Sequence, residues 1–141
     1  MFGHIMVPYD NSEPAKRALD LAVDLAGKYG SKISIVAHIP ISFEYSSEAS
    51  THEETTDLLK KSASYSLSKL ESRLTPLGIP HELAAIEGTS AIETLVTYAE
   101  MHQVDLIVMG SRGLGGFKKL LLGSVTGGML QHSKCPVLIV K

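Results

Sequence analysis

The chain of 141 residues is 44% hydrophobic and 20% charged, and its formal net charge at pH 7 is −2. These values predict one domain, residues 1–141, that can bury a sizeable core and is too apolar to be disordered. They argue against a protein that holds nucleic acid by neutralising its phosphates, and no apolar run approaches the roughly 18 residues of a membrane span, so no membrane insertion is expected.

Short apolar runs predict five β-strands. The first run, "HIMVPYD", ends near Pro8, and the later runs in chain order are "KISIVAHI", "HELAAIEG", "VDLIVMG" and "CPVLIVK". The second run is rich in β-branched residues, which favours a strand. The fourth run is nearly all apolar, which predicts a central position in its sheet.

Segments of helical periodicity lie between these runs. In the first, residues 11–30, either Ser12 or Asp10 can cap the start and Gly30 suits the end. The polar stretch 40–56 has no clear period and predicts a mobile loop before the second helix. That helix carries an apolar face formed by Leu59, Ala63, Leu67, Leu70 and Leu74. A third helix is predicted at 90–102, with Ile92, Leu95, Val96 and Ala99 inward, and a fourth at about 124–133.

Alternation of strands and helices predicts an α/β fold. We expect a doubly wound, Rossmann-like, mostly parallel five-stranded sheet in the order 3-2-1-4-5, with helices on both faces. In such sheets, ligands bind beyond the carboxyl ends of the strands, where the strand order reverses. Three predicted strand ends, residues 8–10, 38–39 and 109–110, would then border one crevice.

A glycine-rich segment follows the fourth predicted strand. Its spacing is Gly110-x2-Gly113-x9-Gly123-Ser124, with Ser124 at the expected start of the last helix. The free amides of a helix start bind anions, and glycine lets a ligand approach the backbone closely. A Walker loop is absent, because the only Gly-Lys pair, Gly27-Lys28, lies at a helix end. The segment therefore predicts a phosphate site of another kind.

This glycine pattern resembles the nucleotide-binding motif of the universal stress protein family, in its ATP-binding branch. "VPYDNSEPAKRAL" resembles that family's first strand and helix, and "KCPVLIV" resembles its last strand, so the likeness covers essentially the whole chain in order. The resemblance implies adenine near Pro8, Ile39 and Met109, and a contact from Asp10 to ribose or to Mg²⁺. The full candidate set for binding ATP is Pro8, Tyr9, Asp10, Ile39, Met109, Gly110, Arg112, Gly113, Gly123, Ser124 and Val125.

Several of these residues have a second interpretation. Asp10 can cap the first helix, with Glu13 completing a capping box, rather than bind a ligand. Arg112, like the lysines at 118 and 119, can lie on a solvated loop surface rather than screen phosphates. The six histidines show no pair at metal-ligand spacing, which argues against a structural zinc site. Cys135 is interpreted as a small, buried or partly buried side chain.

Together with these patterns, the resemblance implies an ATP-binding regulatory protein of the stress response with little or no catalysis. Asp10 is the one acid clearly placed at the crevice, so a slow ATPase or a nucleotidyl- or phosphoryl-transferring enzyme is the first alternative. A dimeric scaffold with a vestigial pocket is the second. The polar segment from Ile41 to Ser50 has no assigned role.

The last predicted strand indicates how the protein assembles, and the cysteine content indicates where it is located. "PVLIVK" is a short apolar strand expected at the sheet edge, where unpaired backbone groups favour pairing with another chain. We therefore expect a homodimer through Val137 to Val140, with a further regulatory protein partner; the resemblance implies the same dimer. A single cysteine and the lack of a signal-like start predict a cytoplasmic protein.

Overall fold

The structure, a computed structural model, describes residues 1–41, 49–114 and 121–141. Nine main elements follow in chain order, and a 3₁₀ turn, Thr75–Leu77, lies after the second helix. The elements are β1 (His4–Pro8), α1 (Glu13–Tyr29), β2 (Lys32–Pro40), α2 (Ala49–Leu74), β3 (His81–Gly88), α3 (Ala91–Met101), β4 (Leu106–Gly110), α4 (Ser124–His132) and β5 (Val137–Val140).

All five strands run parallel in one sheet of order β3-β2-β1-β4-β5, as the sequence predicts. The chain winds outward from β1 to β3 and then returns to the other side of β1 with β4, so the order reverses between β1 and β4. Those two strands pair only at Ile5↔Leu106 and Met6↔Ile107. Beyond these pairs, the carboxyl halves of β1 and β4 are not bridged to each other, which leaves room for a crevice.

Helices cover both faces of the sheet because successive strand side chains alternate between them. Val7 packs in a buried cluster with side chains of α1 and α2, including Leu74. Its neighbour Met6 points the other way, to a second cluster that holds Leu95 of α3 and Met129 of α4. Every residue of β4 is buried, which confirms the central position predicted for that strand.

The structure decides which residue caps α1. Ser12 is the N-cap, and its hydroxyl accepts a hydrogen bond from the backbone N–H of Ala15 at 3.3 Å. Pro14 lies in the first turn, and Gly30 ends the helix in the left-handed conformation, with φ of 69°. The alternative cap, Asp10, has another role that is described below.

The second helix begins earlier than the sequence predicts. α2 starts at Ala49 rather than after residue 56, so the predicted loop is too long. The physical reason is that side chains from residue 53 to 62 are almost all exposed, and such a segment carries no apolar stripe. Leu67 and Leu74 are buried as predicted, but Leu59 is 41% exposed. The mobility predicted for residues 42–48 concerns a segment outside the described residues.

Other predicted elements are confirmed with small shifts at their ends. Strand β3 pairs with β2 from Ile33↔His81 to Pro40↔Gly88 and forms one edge of the sheet. In α3, Tyr98 is buried in addition to the predicted Leu95. Among the described residues, none of the helices has both the length and the apolar character that crossing a bilayer requires.

Candidate functional site

A cavity of about 870 Å³ lies beyond the carboxyl ends of β1, β2 and β4, where the strand order reverses. All eleven residues of the candidate set line it: Pro8, Tyr9, Asp10, Ile39, Met109, Gly110, Arg112, Gly113, Gly123, Ser124 and Val125. The volume is in the usual range for a small-molecule site. The fold thus brings together residues that are more than 100 positions apart in the chain.

The strand ends give this cavity an apolar floor. Ile39 is 1% exposed and Met109 is 4% exposed, and both lie at the carboxyl ends of their strands. Tyr9 is also buried, and its hydroxyl donates to Asn11 Oδ1 at 3.3 Å. Burial raises the pKa of the Tyr9 phenol, because a buried site disfavours the charged phenolate. Such a floor suits a flat, uncharged ring.

Gly110 is required by packing inside the protein. A Cβ at this position would lie 2.6 Å from Pro14 Cβ and 2.8 Å from the Pro14 carbonyl carbon. Only glycine therefore lets the start of α1 pack this closely on the end of β4. The sequence suggests that Gly110 makes room for a ligand, and the structure supplies this further reason for a glycine there.

Gly113 and Gly123 both lie in close contact with neighbouring segments of the site. A Cβ on Gly113 would lie 2.6 Å from Asp10 Oδ2, and one on Gly123 would lie 3.3 Å from Arg112 Cα. The Gly123 N–H donates to the Ser111 carbonyl at 2.7 Å, which fixes the start of α4 against the turn after β4. Gly113 thus leaves room for the Asp10 side chain, and Gly123 for the backbone of the turn after β4.

The start of α4 points into the cavity. Gly123 is its N-cap, with an extended backbone (φ −69°, ψ 164°), and no side chain caps the helix within the described chain. Ser124 and Val125, the first two residues of the helix, line the cavity. Thr126 anchors this turn, since its hydroxyl donates to the Gly110 carbonyl at 2.8 Å. Helix-start amides and the positive end of the helix dipole favour an anion at this place.

Asp10 ties the first loop to the glycine-rich turn. Its Oδ1 accepts from the Ser12 N–H at 3.0 Å, and its Oδ2 accepts from the Leu114 N–H at 3.1 Å. Asp10 therefore does not cap α1, and the capping box with Glu13 is not formed. The exposed carboxylate keeps lone pairs that can accept further hydrogen bonds.

Replacing Asp10 with alanine is expected to lower the free energy of unfolding by about 1 kcal/mol, since two backbone N–H groups lose their acceptor. Asp10→Asn keeps one acceptor oxygen, so its free energy of unfolding should fall by about half as much. Urea denaturation of both variants measures the two values. Wild-type stability for Asp10→Ala would show that the tie between the two loops contributes nothing to the fold.

His38, at the predicted end of the second strand, lines the cavity, and its Nε2–H donates to the Gly88 carbonyl at 2.8 Å. Sequence reasoning missed the part of the cavity wall that α2 forms, where Ser62 and Ser66 line the cavity. One sequence feature could have identified these two serines: they lie beside the predicted apolar face of α2, since Ser62 precedes Ala63 and Ser66 precedes Leu67.

Other titratable groups lie away from the cavity. Asp105 accepts from the N–H groups of Gly3 and His4, at the opposite end of the sheet. Burial raises the pKa of the partly buried Cys135 thiol, which disfavours the reactive thiolate. No group of three or more His, Cys, Asp or Glu residues suited to a metal occurs in the ranges that the structure describes. The predicted phosphate-screening lysines, 118 and 119, lie outside those ranges.

Comparison with known proteins identifies a family whose members are similar to this chain in sequence and in structure. A model described as the universal stress protein family matches residues 1–141. The chain is 33% identical over 150 residues to the universal stress protein YxiE of Bacillus subtilis, covering 100% of both chains. Protein MJ0577 of Methanocaldococcus jannaschii has a similar structure, with a TM-score of 0.87 and 28% identity, covering 100% of this chain and 96% of that one.

A third similar structure is that of a universal stress protein in complex with cAMP. Its TM-score is 0.68 at 25% identity, and the match covers 99% of this chain and 96% of that chain. The family model spans the whole chain, the Bacillus subtilis relative aligns along its full length, and the strand order agrees with the resemblance found in the sequence. The chain belongs to the universal stress protein family.

Proposed function

We propose that this protein binds an adenine nucleotide, with ATP as its physiological ligand, in the cavity beyond β1, β2 and β4. The observation that carries the proposal is the pairing of an apolar floor with an uncapped helix start in one cavity. Met109 and Ile39 offer a surface for the base, while the amides of Ser124 and Val125 face the position of the phosphates. The similar structure in complex with cAMP supports a ligand of this class.

The proposed role of each residue follows from its position in the cavity wall. Gly113 and Gly123 let phosphate oxygens approach the backbone, and Arg112 contributes positive charge beside them. Asp10, at the mouth of the glycine-rich turn, would accept a hydrogen bond from a ribose hydroxyl. Its carboxylate is also the candidate ligand for a Mg²⁺ ion carried in with the triphosphate.

Isothermal titration calorimetry with ATP, ADP, AMP and cAMP, each with and without Mg²⁺, tests this proposal. We expect saturable binding with one site per chain and ATP the tightest ligand. Denaturing freshly purified protein and identifying the released nucleotide by chromatography gives an independent readout. Absence of binding for all four nucleotides would contradict the proposal and favour a scaffold with a vestigial pocket.

We further propose that bound ATP acts as a regulatory ligand and is turned over slowly, if at all. Asp10 is the one carboxylate of the candidate set, and it is engaged by the Ser12 and Leu114 amides. Rapid hydrolysis needs a general base that reaches the attacking water, and in the proposed roles Asp10 is occupied by the ribose or by Mg²⁺ instead. Phosphate release over many turnovers with Mg²⁺ would instead identify a slow ATPase or a related transferase. The cytoplasmic location and the regulatory protein partner stay predictions.

We also propose a homodimer through β5. This strand pairs with β4 on one side and forms the sheet edge on the other. The carbonyls of Pro136 and Val140 accept from N–H groups of Ile107 and Ser111, so alternation turns the backbone groups of Val137 and Ile139 toward the open edge. A copy of the same strand can pair there about a two-fold axis.

Ile139→Pro is expected to abolish the dimer and keep the fold, since it removes an outward N–H donor without removing a bond to β4. Ile139→Val is the matched control that keeps the donor. Light scattering coupled to size exclusion should give about twice the 15.2 kDa chain mass for wild type and control. The proline variant should give the single-chain mass. A monomeric wild type at micromolar concentration would contradict the proposal.

A further inference from the structure

Helix α2 borders the cavity on the side opposite to α4. Leu67 of α2 packs in the cluster on the α1 face of the sheet, whereas Met129 of α4 packs in the cluster on the other face. The cavity nevertheless reaches both helices, because it passes over the carboxyl ends of the strands between them. Its α2 wall includes the small side chains Ser62, Ala63 and Ser66.

Two pairs of serines on α2 differ in their hydrogen bonds. The hydroxyls of Ser68 and Ser72 donate to carbonyls of their own helix, those of Tyr65 and Lys69, at 2.7 and 2.8 Å. Within the described chain, the hydroxyls of Ser62 and Ser66 form no hydrogen bond, and both line the cavity. Four residues apart, they lie on one face of the helix. They are polar groups placed for a ligand atom.

The direction of a bound nucleotide follows from the two ends of the cavity. Phosphates held by the amides of Ser124 and Val125 would lie at the α4 side. From β4 across β1 to β2 is two strand spacings, about 10 Å. The part of the nucleotide that reaches α2 is therefore the part farthest from its phosphates, which is the base.

We infer that Ser62 and Ser66 bind the edge of the base and contribute a base-dependent part of the affinity. The inference rests on the proposed function and adds the residues that recognise the base. A hydroxyl both donates and accepts, so each can pair with a ring nitrogen or an exocyclic group of a purine. Ala63 lies between them, and its small side chain leaves room for the two fused rings of a purine.

The test compares ATP with inorganic tripolyphosphate, which has the phosphates and lacks the base. The double variant Ser62→Ala/Ser66→Ala should bind ATP about tenfold more weakly, as expected for the loss of one or two hydrogen bonds. Its affinity for tripolyphosphate should equal that of the wild type. The matched control is Ser68→Ala/Ser72→Ala, which removes the two back-bonded hydroxyls and should change neither affinity.

The outcomes separate this inference from the proposed function. A wild type that binds neither ATP nor tripolyphosphate overturns the proposed function, and the inference with it. A wild type that binds ATP together with a Ser62→Ala/Ser66→Ala variant of equal affinity overturns the inference alone. So does an equal loss for ATP and tripolyphosphate, since that would place the serines at the phosphates.

A second variant tests the space beside the base. Ser66→Leu adds bulk to the α2 wall while keeping a good helix former, so the fold should persist. ATP binding should fall at least tenfold, and tripolyphosphate binding should be retained. Unchanged ATP affinity in this variant would show that the base does not reach α2.

Discussion

Gly110→Ala should lower the free energy of unfolding by about 2–3 kcal/mol, the size of effect seen when an added methyl group overpacks a closed core. The added Cβ would meet backbone as well as side chain, with Ala15 N at 3.0 Å in addition to the two atoms of Pro14. Backbone cannot rotate away as a flexible side chain can. The start of α1 must therefore move off the end of β4.

Gly127→Ala is the matched control for this prediction. An added Cβ there meets no described atom within 4 Å, and the residue lies inside α4. The substitution should raise the free energy of unfolding by about 0.5–1 kcal/mol, because alanine favours a helix over glycine. Urea denaturation with linear extrapolation compares the two variants. Equal stabilities for Gly110→Ala and wild type would contradict the close packing of α1 on β4.

Ser124→Pro should weaken ATP binding by about tenfold or more, since a hydrogen bond to a charged phosphate contributes about 1.5–3 kcal/mol. The site tolerates proline. Ser124 is the first helical residue, and the preceding Gly123 already has the extended backbone that a residue before proline needs. The substitution therefore removes one cavity-facing amide and leaves the helix intact.

Ser124→Ala separates the amide from the hydroxyl. It keeps the backbone N–H and removes only the side-chain donor, so its affinity should lie between those of wild type and Ser124→Pro. Calorimetric titration gives the three affinities, and thermal unfolding without ligand checks that all three proteins fold equally well. Wild-type affinity in a folded Ser124→Pro protein would show that the start of α4 does not hold the phosphates.

Much of the fold could be predicted from the sequence because local residue patterns determine where most strands and helices begin and end. The strands and most helix ends follow from apolar runs and from turn residues such as Gly30 and Gly78, both at positive φ. The parallel sheet follows from the alternation of strands and helices, and its order is one of the few that doubly wound folds adopt. The start of α2 could not be predicted in this way, since the side chains from residue 53 to 62 are almost all exposed and form no apolar stripe.

The candidate site likewise has a part that the sequence predicts and a part that it does not. The residues of the candidate set were found because a glycine pattern and a family resemblance mark them, and all of them line the cavity. The pairing of Asp10 with Leu114 could not be predicted, because it joins residues 104 positions apart. Nor could the position of Ser62 and Ser66 on the cavity wall, which depends on how α2 crosses the sheet.

The tie between Asp10 and Leu114 has a thermodynamic consequence. The pocket wall is complete only after both ends of the chain have joined the sheet, so an unfolded chain offers a nucleotide no comparable site. A ligand that binds only the native state raises its stability with concentration, by about 2.7 kcal/mol at one hundred times the dissociation constant. The lifetime of this protein in a cell would then follow the supply of its nucleotide, independently of any partner.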